Sequence, residues 1–443
     1  MMREPLFTLL KRQVLVLGLG DTGLSVARWV EREGGKVRIA DTRALPPRQG
    51  DFGGELHLGA FHAGLLAGVD LVCVSPGLSL AEPLVREAVQ KKIPIVGDIE
   101  LFAWQNTATV IAVTGTNGKS TVTALTGHLL RAAGVDCEVA GNIGPPVLQA
   151  CAKRQDSGKL PAAWVLELSS YQLETTWSLA PAAAAMLNLT EDHFDRYASL
   201  EEYAAAKARI FTGAGLQVLN RDDPRSLAMA QSGRRAVTFG LDAPPGGADF
   251  GVADKHLVQG KNPILPLDEL AIRGWHNVAN ALAACALASI FKIRPEALRA
   301  GLKSFRGLSH RLQLVATRRG VEWYDDSKGT NVGATVAALR GLGRKSVLIL
   351  GGEGKGQDFS PLREPVRELA AHVLLIGRDA PRIAKVIGGE HCPSLEEAVR
   401  RASEIAKEGE AVLLSPACAS FDMFRDYRHR GEAFAQAVHR LGP

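Results

Sequence analysis

The run TVIAVTGTNGKSTVTALTGHLL, Thr109 to Leu130, carries residues suited to phosphate chemistry. An apolar, β-branched stretch leads into Gly115-Thr116-Asn117-Gly118-Lys119-Ser120 and straight on into helical periodicity ending past Thr121. That order surrounds phosphates with backbone N–H groups, a helix N-terminus and one lysine, and it places the Ser120 hydroxyl to meet Mg²⁺. The full phosphate-loop pattern asks for glycine where this chain has Val113, so the loop is shorter than that of common motor and switch proteins. A plain glycine-rich turn before an ordinary helix would leave Lys119 and Ser120 without a purpose.

Two further apolar runs end in polar groups. WVLEL closes on Glu167, and MLNLTEDHFDR sets Asn188, Asp192 and His193 just beyond its strand. In a parallel sheet the carboxyl ends of successive strands share one edge, which is where ligands bind. Each group alone fits a helix cap or a solvated side chain. Three converging strand ends favour a common site, with Glu167 and His193 as candidate metal ligands beside Ser120.

A second phosphate signal lies near the N-terminus. VLVLGLGDTGLSVARWV spaces Gly18, Gly20 and Gly23 as G-x-G-x-x-G after an apolar run, and a second run, KVRIA, ends at Asp41. Glycines at this spacing permit a tight turn and a close approach of backbone N–H groups to a pyrophosphate, with an acid about 20 residues on for a ribose. Taken alone, the stretch fits a nicotinamide-dependent dehydrogenase or a strand-helix turn that binds no dinucleotide.

The elements that must position these groups repeat one theme. Apolar β-branched runs alternate with helical periods in three blocks, which predicts an α/β protein of three domains: residues 1–104, Rossmann-like; 105–308, a central phosphate-loop ATPase type with a mostly parallel sheet; and 309–443, again Rossmann-like. The Gly-, Pro- and Asp-rich stretch from Gly240 to Leu267 is expected to be a loop or small excursion. The chain of 443 residues is long enough for about three cores. The net charge of +5 comes from scattered Lys and Arg without a basic arm, which argues against nucleic acid and suits anionic small substrates. Six widely spaced cysteines without C-x-x-C pairs read as reduced thiols of a cytoplasmic protein. No apolar run reaches membrane-spanning length, and MMREPLFTLL is too short and poorly flanked for a secretory leader.

With GTNGKST, ELSSYQLE, LTEDHFDRY, GWHNVAN, FRGLSHR, DDSKGTN, LGGEGKG and LSPACASFD in order along nearly the whole chain, the sequence resembles the Mur ligases of peptidoglycan synthesis. The resemblance implies an ATP-dependent amide ligase acting through an acyl phosphate, with UDP-N-acetylmuramoyl-L-alanine and D-glutamate as substrates, two Mg²⁺ ions, a cytoplasmic location and a monomer. It gives the first domain to the uridine diphosphate of the substrate rather than to NAD. Another Mur-family or folylpolyglutamate-type ligase is the alternative. The complete first domain speaks against the folylpolyglutamate type, and the lack of an Asp-Asn-Pro-Arg motif speaks against the diaminopimelate-adding relative.

The same resemblance implies residue roles. Lys119 would contact the ATP phosphates within the Gly115 to Thr121 loop; Ser120 and Glu167 would hold one Mg²⁺ and His193 a second. Asn142 would touch substrate near the reaction centre. Asn277 and Asn280 would lie near adenine, with His310, Arg311 and Asp326 completing the nucleotide site. Asp41, Thr42, Ser75, Pro76 and Gly77 would face uridine, with Gly20, Asp21 and Thr22 at the diphosphate. Lys328, Thr330, Lys355, Ser420 and Phe421 match positions associated with D-glutamate. Lys207 would be carbamylated and help to position Mg²⁺, although by itself it reads as a solvated lysine on an Ala-rich helix started by a Ser199/Glu202 capping box. Ser309, Gly329 and Tyr427 depart from the family pattern, where proline, alanine and phenylalanine are usual; the first two bear on loop stiffness, the third on the amino-acid pocket.

Overall fold

The computed structural model describes residues 8–194 and 196–441, so Met1 to Phe7 of the N-terminal stretch, Asp195 of the LTEDHFDRY motif and the last two residues lie outside it. The first sheet contains β1 (Gln13–Leu17), β2 (Lys36–Asp41), β3 (Glu55–Leu58), β4 (Leu71–Val74) and β5 (Ile95–Val96), all parallel in the order β3-β2-β1-β4-β5. Leu17 pairs with both Ala40 and Val74, so the residues that follow, Gly18, Asp41 and Ser75, emerge together at the carboxyl edge. This is the switch point of a doubly wound sheet. Gly23 is needed there: a Cβ on it would sit 1.9 Å from the Gly18 carbonyl oxygen, holding the helix Asp21–Arg32 off the strand.

The second sheet contains β6 (Thr109–Thr114), β7 (Cys137–Gly141), β8 (Ala163–Glu167), β9 (Ala183–Met186), β10 (Leu216–Asn220), β11 (Ala236–Phe239), β12 (Phe250–Ala253), β13 (His256–Gln259) and β14 (Asn262–Pro266). Its order is β14-β13-β12-β11-β10-β9-β6-β8-β7, parallel from β7 to β12 and antiparallel beyond. The stretch expected as a loop or small excursion is the second, a three-stranded extension of this sheet. Its strands are short and broken by Gly and Pro, and Asp254-Lys255, both at positive φ, form the two-residue hairpin turn. The third sheet, β15 (Gln313–Arg318), β16 (Val321–Asp325), β17 (Ser346–Gly351), β18 (Ala370–Ile376), β19 (Glu390–His391) and β20 (Ala411–Leu414), runs β15-β16-β20-β17-β18-β19 with only β15 antiparallel.

The three units are joined differently. One apolar cluster runs across the first and second, with Trp29 and Phe102 on one side and Trp164 on the other, and the Phe102 and Trp164 rings meet edge to face at 5.1 Å. The two apolar clusters of the third unit draw only on residues from 312 onward. Its contacts with the phosphate loop are polar, as described below, and its helix Val332–Leu342 also packs against the helix Trp275–Ala288 without joining an apolar cluster of the second unit. Large apolar contacts fix neighbouring domains, whereas polar ones leave relative motion as the default. The six cysteines are buried and unpaired with one another, and among the described residues no helix is long and apolar enough to cross a membrane.

Candidate active site

The phosphate loop follows β6 and enters the helix Lys119–Ala132. Asn188 braces it: the Thr116 N–H donates to the Asn188 carbonyl at 2.9 Å, the Asn117 N–H to its side-chain oxygen at 2.8 Å, and its amide returns a bond to the Asn117 carbonyl at 3.1 Å. Lys119 lies along the loop, with Nζ 2.9 Å from the Gly115 carbonyl and 2.8 Å from that of Thr116. Burial lowers its pKa. The buried Ser120 hydroxyl accepts from Arg311 Nη2 at 2.7 Å, so the third unit already reaches the loop.

A cavity of about 550 Å³ opens beside the loop. Glu167 enters it from the end of β8 and is 2% exposed; its Oε1 accepts from Asn142 Nδ2 at 2.6 Å, while Oε2 is buried with no hydrogen-bond partner. His193, at φ 58°, lines the same cavity with Nδ1 2.7 Å from the Tyr171 hydroxyl. The helix Leu200–Ala208 starts at Ser199, whose hydroxyl accepts from the Glu202 N–H, but the Glu202 carboxylate returns to the Ala198 N–H rather than to Ser199. Half of the expected capping box forms. The helix buries Tyr203, Ala206 and Lys207 on one face, so Lys207 is 1% exposed and not solvated. Its Nζ donates to the Gly115 carbonyl at 2.8 Å and lies 4.6 Å from the Tyr203 ring centre. Burial, and then the charge of Lys119, push its pKa well below the ordinary lysine value.

The third unit closes this cavity with Lys328, Thr330 and Lys355. Asn331, which caps the helix Val332–Leu342, donates to Asn117 Oδ1 at 3.2 Å and to Asp192 Oδ2 at 3.4 Å, joining the phosphate loop to a third-unit helix. A neighbouring cavity of about 290 Å³ is lined by Gly118, Thr121, Asn277, Asn280, Arg311 and Asp326. Asn280 donates to Asn277 at 3.1 Å, as expected for two residues on one helical face. Burial raises the Asp326 carboxyl to about 7; it accepts from Ser415 at 2.7 Å and from the Leu312 N–H at 3.1 Å. Gly329 leaves room for it: a Cβ there would lie 2.6 Å from Asp326 Oδ2, so the departure from alanine is a matter of space as well as stiffness.

At the carboxyl edge of the first sheet a third cavity, about 590 Å³, is lined by all eight residues expected at the uridine diphosphate end, and Asn142 borders both this and the Glu167 cavity. Burial would raise the Asp41 carboxyl, but bonds from Arg43 and the Leu19 N–H outweigh it and hold the pKa at about 2.

Five of the expected site residues line none of these cavities. Gly115 lends only its carbonyl to Lys119 and Lys207, and Ser120 is covered by Arg311. His310, at φ 62°, pairs with Asp325 at 2.6 Å and so sets the backbone from which Arg311 reaches the loop. Ser420 is buried, and Phe421 is 65% exposed with Lys355 Nζ 6.0 Å from its ring. Sequence reasoning missed Asn331 and Arg428; an Asn just after Lys328 and before helical periodicity was the available signal for the first.

Cavities at the carboxyl edges of two parallel sheets, meeting at a phosphate loop that a third unit covers with cations, define a nucleotide-dependent enzyme of three α/β units. The models of the Mur ligase MurD-like N-terminal domain, the Mur ligase middle domain and the Mur ligase glutamate ligase domain match residues 12–97, 113–288 and 310–418. UDP-N-acetylmuramoylalanine--D-glutamate ligases from Nitrosospira multiformis and Thiobacillus denitrificans are 54% and 53% identical to this chain, each over 97% of it and 96% of the relative. The chain belongs to the Mur ligase family. Among solved structures, MurF from Acinetobacter baumannii superposes with a TM-score of 0.62 at 17% identity, covering 97% of this chain and 94% of that one. The UDP-N-acetylmuramate-alanine ligase MurC from Thermotoga maritima gives 0.61 at 18%, covering 96% and 99%. At those identities the likeness is one of fold.

Proposed function

We infer that this chain is the ATP-dependent ligase that joins D-glutamate to UDP-N-acetylmuramoyl-L-alanine in peptidoglycan precursor synthesis. The observation that carries the reading is identity of about half the residues, over nearly full length, with relatives bearing that name. We propose a cytoplasmic monomer divided near residues 104 and 308.

The geometry suits the chemistry. A carboxylate is a poor acyl donor, so its oxygen first takes the γ-phosphoryl group of ATP, leaving ADP; the amine of D-glutamate then attacks the acyl carbon, the amide bond forms, and phosphate and a proton leave. Asn142 borders both the nucleotide-sugar cavity and the phosphate-loop cavity, which is where the acceptor carboxylate must meet ATP. Lys119 and Arg311 supply fixed positive charge at the transferred group. Asn277 and Asn280 offer amides to adenine, and Lys328, Thr330 and Lys355 offer two cations and a hydroxyl to a dicarboxylate, with the Phe421 ring 6.0 Å from Lys355 Nζ and Ser420 following β20 nearby in the chain.

Among the described residues no cluster of three His, Cys, Asp or Glu side chains is placed to hold a metal. Mg²⁺ is commonly held by one or two protein oxygens together with phosphates and water, and the unpartnered buried Oε2 of Glu167 fits that demand. Glu167 and Ser120 would hold one ion and His193 the other, with Lys207 contributing as a carbamate. When bound, Mg²⁺ neutralises charge on the phosphates.

ADP release with UDP-N-acetylmuramoyl-L-alanine and a panel of amino acids tests the reading. D-Glutamate should support turnover with kcat/KM about 10⁴-fold above L-glutamate, because inversion leaves a charged partner unpaired. Lys355→Ala should raise the KM for D-glutamate far more than that for ATP. Comparable kcat/KM for the two enantiomers would remove the D-glutamate assignment and leave the ligase chemistry standing. In calorimetric titrations of the full chain, UDP should bind the first-sheet cavity and NAD should not; saturable NAD binding without a response to UDP would restore the dehydrogenase reading of the Gly18 to Gly23 turn.

A further inference from the structure

One wall of the nucleotide-sugar cavity belongs to the third unit. Arg428, in the first turn of the helix Tyr427–Arg440, lines it together with Gly20 and Asp21. No sequence motif includes this residue. Its Nε donates to the Tyr427 hydroxyl at 3.2 Å and its guanidinium carbon lies 5.6 Å from the Tyr427 ring centre, while Lys328 Nζ lies 3.9 Å from the same ring. Tyr427 therefore ties the cation of the nucleotide-sugar cavity to the one in the reaction cavity.

The charges at this end of the cavity need that cation. The helix Asp21–Arg32 begins at Gly20, which offers no side-chain cap, so its first N–H groups and the positive end of its dipole are open to an anion. Asp21 opposes that preference. Arg48 pairs with Asp21 at 2.6 Å and cancels its charge, leaving no net positive side chain from that pair. Arg428 supplies the excess, but from a unit that shares no apolar cluster with the other two and meets the phosphate loop through polar contacts.

We propose that Arg428 is a closure-dependent clamp on the diphosphate of the nucleotide-sugar substrate, reaching it only when the third unit is closed, so that substrate binding and closure favour each other. The proposal rests on the assignment of the first-sheet cavity to a uridine diphosphate ligand. Reciprocity follows from linkage: a contact made only in the closed state must draw the unit shut as much as closure tightens the ligand. The clamp also gives the enzyme a reason to complete the amino-acid side of the site after the nucleotide sugar has arrived, since the Lys328 and Arg428 cations share Tyr427.

The test uses the full chain, UDP-N-acetylmuramoyl-L-alanine, and the variants Arg428→Glu and Arg428→Lys. By calorimetry the Glu variant should bind about tenfold more weakly, as fits loss of a charge-assisted hydrogen bond, and with a shallower dependence on salt. The Lys variant should stay within about threefold of wild type. Small-angle scattering should show the wild-type chain contracting on addition of this ligand and the Glu variant contracting less. A dissociation constant for Arg428→Glu within twofold of wild type, or a Lys variant as weak as the Glu variant, overturns the clamp. A wild-type chain that does not bind the nucleotide sugar removes the cavity assignment itself, and the clamp with it.

Discussion

Lys119→Ala is expected to lower ligase turnover by about 10³-fold or more while leaving the fold intact. Its ammonium is surrounded by the Gly115 and Thr116 carbonyls, at 2.9 and 2.8 Å, and packs against no apolar cluster. Truncation removes two hydrogen bonds from a loop that Asn188 still braces through three others, and the Gly115 carbonyl keeps Lys207 as a donor. The stability cost is then of order 1 kcal/mol. Phosphoryl transfer, by contrast, depends on charge fixed at the transferred group before reaction, and removal of one such group costs 10²- to 10³-fold or more. ADP release and thermal unfolding on the same preparation separate the two effects. Turnover within tenfold of wild type by a folded variant would sink the assignment of this loop to ATP.

The phosphate loop was legible in the sequence because strand, glycines, lysine and helix are contiguous there, and local chemistry needs no knowledge of topology. The carboxyl-edge rule extended this to Glu167 and His193, which the sheet order does bring to one cavity. Contacts between units were not legible. Asn331 and Asn117 are 214 residues apart, as are no two residues of any local motif, and Arg428 reaches a cavity built around Gly20 through the placement of a whole domain. The burial of Lys207 was hidden for a related reason. Its Ala-rich helix carries a weak apolar signal, and the face that turns inward is decided by the rings of Tyr203, Tyr171 and Tyr197 packed nearby rather than by periodicity. The stretch between Gly240 and Leu267 was legible only as a loop or small excursion, without its strands, because turn residues outnumber apolar ones there, and the pairing is set by hairpin geometry and by the edge of the parallel sheet that it extends.

Lys207→Ala should lose activity to a similar degree as Lys119→Ala and regain part of it on addition of formate or acetate. An ordinary lysine, with pKa about 10.4, is neutral only about one time in a thousand near pH 7.4, and only the neutral amine attacks CO₂. Here burial, followed by the repulsion of Lys119, favours the neutral form. The neutral Nζ would then form an N–C bond to CO₂, one C=O π pair moving onto oxygen, and release one proton, converting a buried neutral amine into a carbamate anion lining the Glu167 cavity. Two outcomes follow from the sign of the shift. Because the folded amine has a lowered pKa, its reactive fraction rises with pH well below the ordinary lysine range, so bicarbonate-depleted enzyme should regain activity on addition of bicarbonate, and regain less of it as the pH is lowered. Enzyme equilibrated with ¹³C-bicarbonate should also show a carbamate resonance that Lys207→Ala lacks. The contact with Gly115 holds the nitrogen in place through only one of its hydrogens at 2.8 Å, with Thr114 more distant at 3.5 Å, which leaves the amine a direction from which to react. A carboxylate added in trans cannot match one tethered at that point, since tethering removes most of the entropy of placement, and rescue should therefore be partial. Full activity of Lys207→Ala without any added carboxylate would show that the modified lysine is not part of this enzyme.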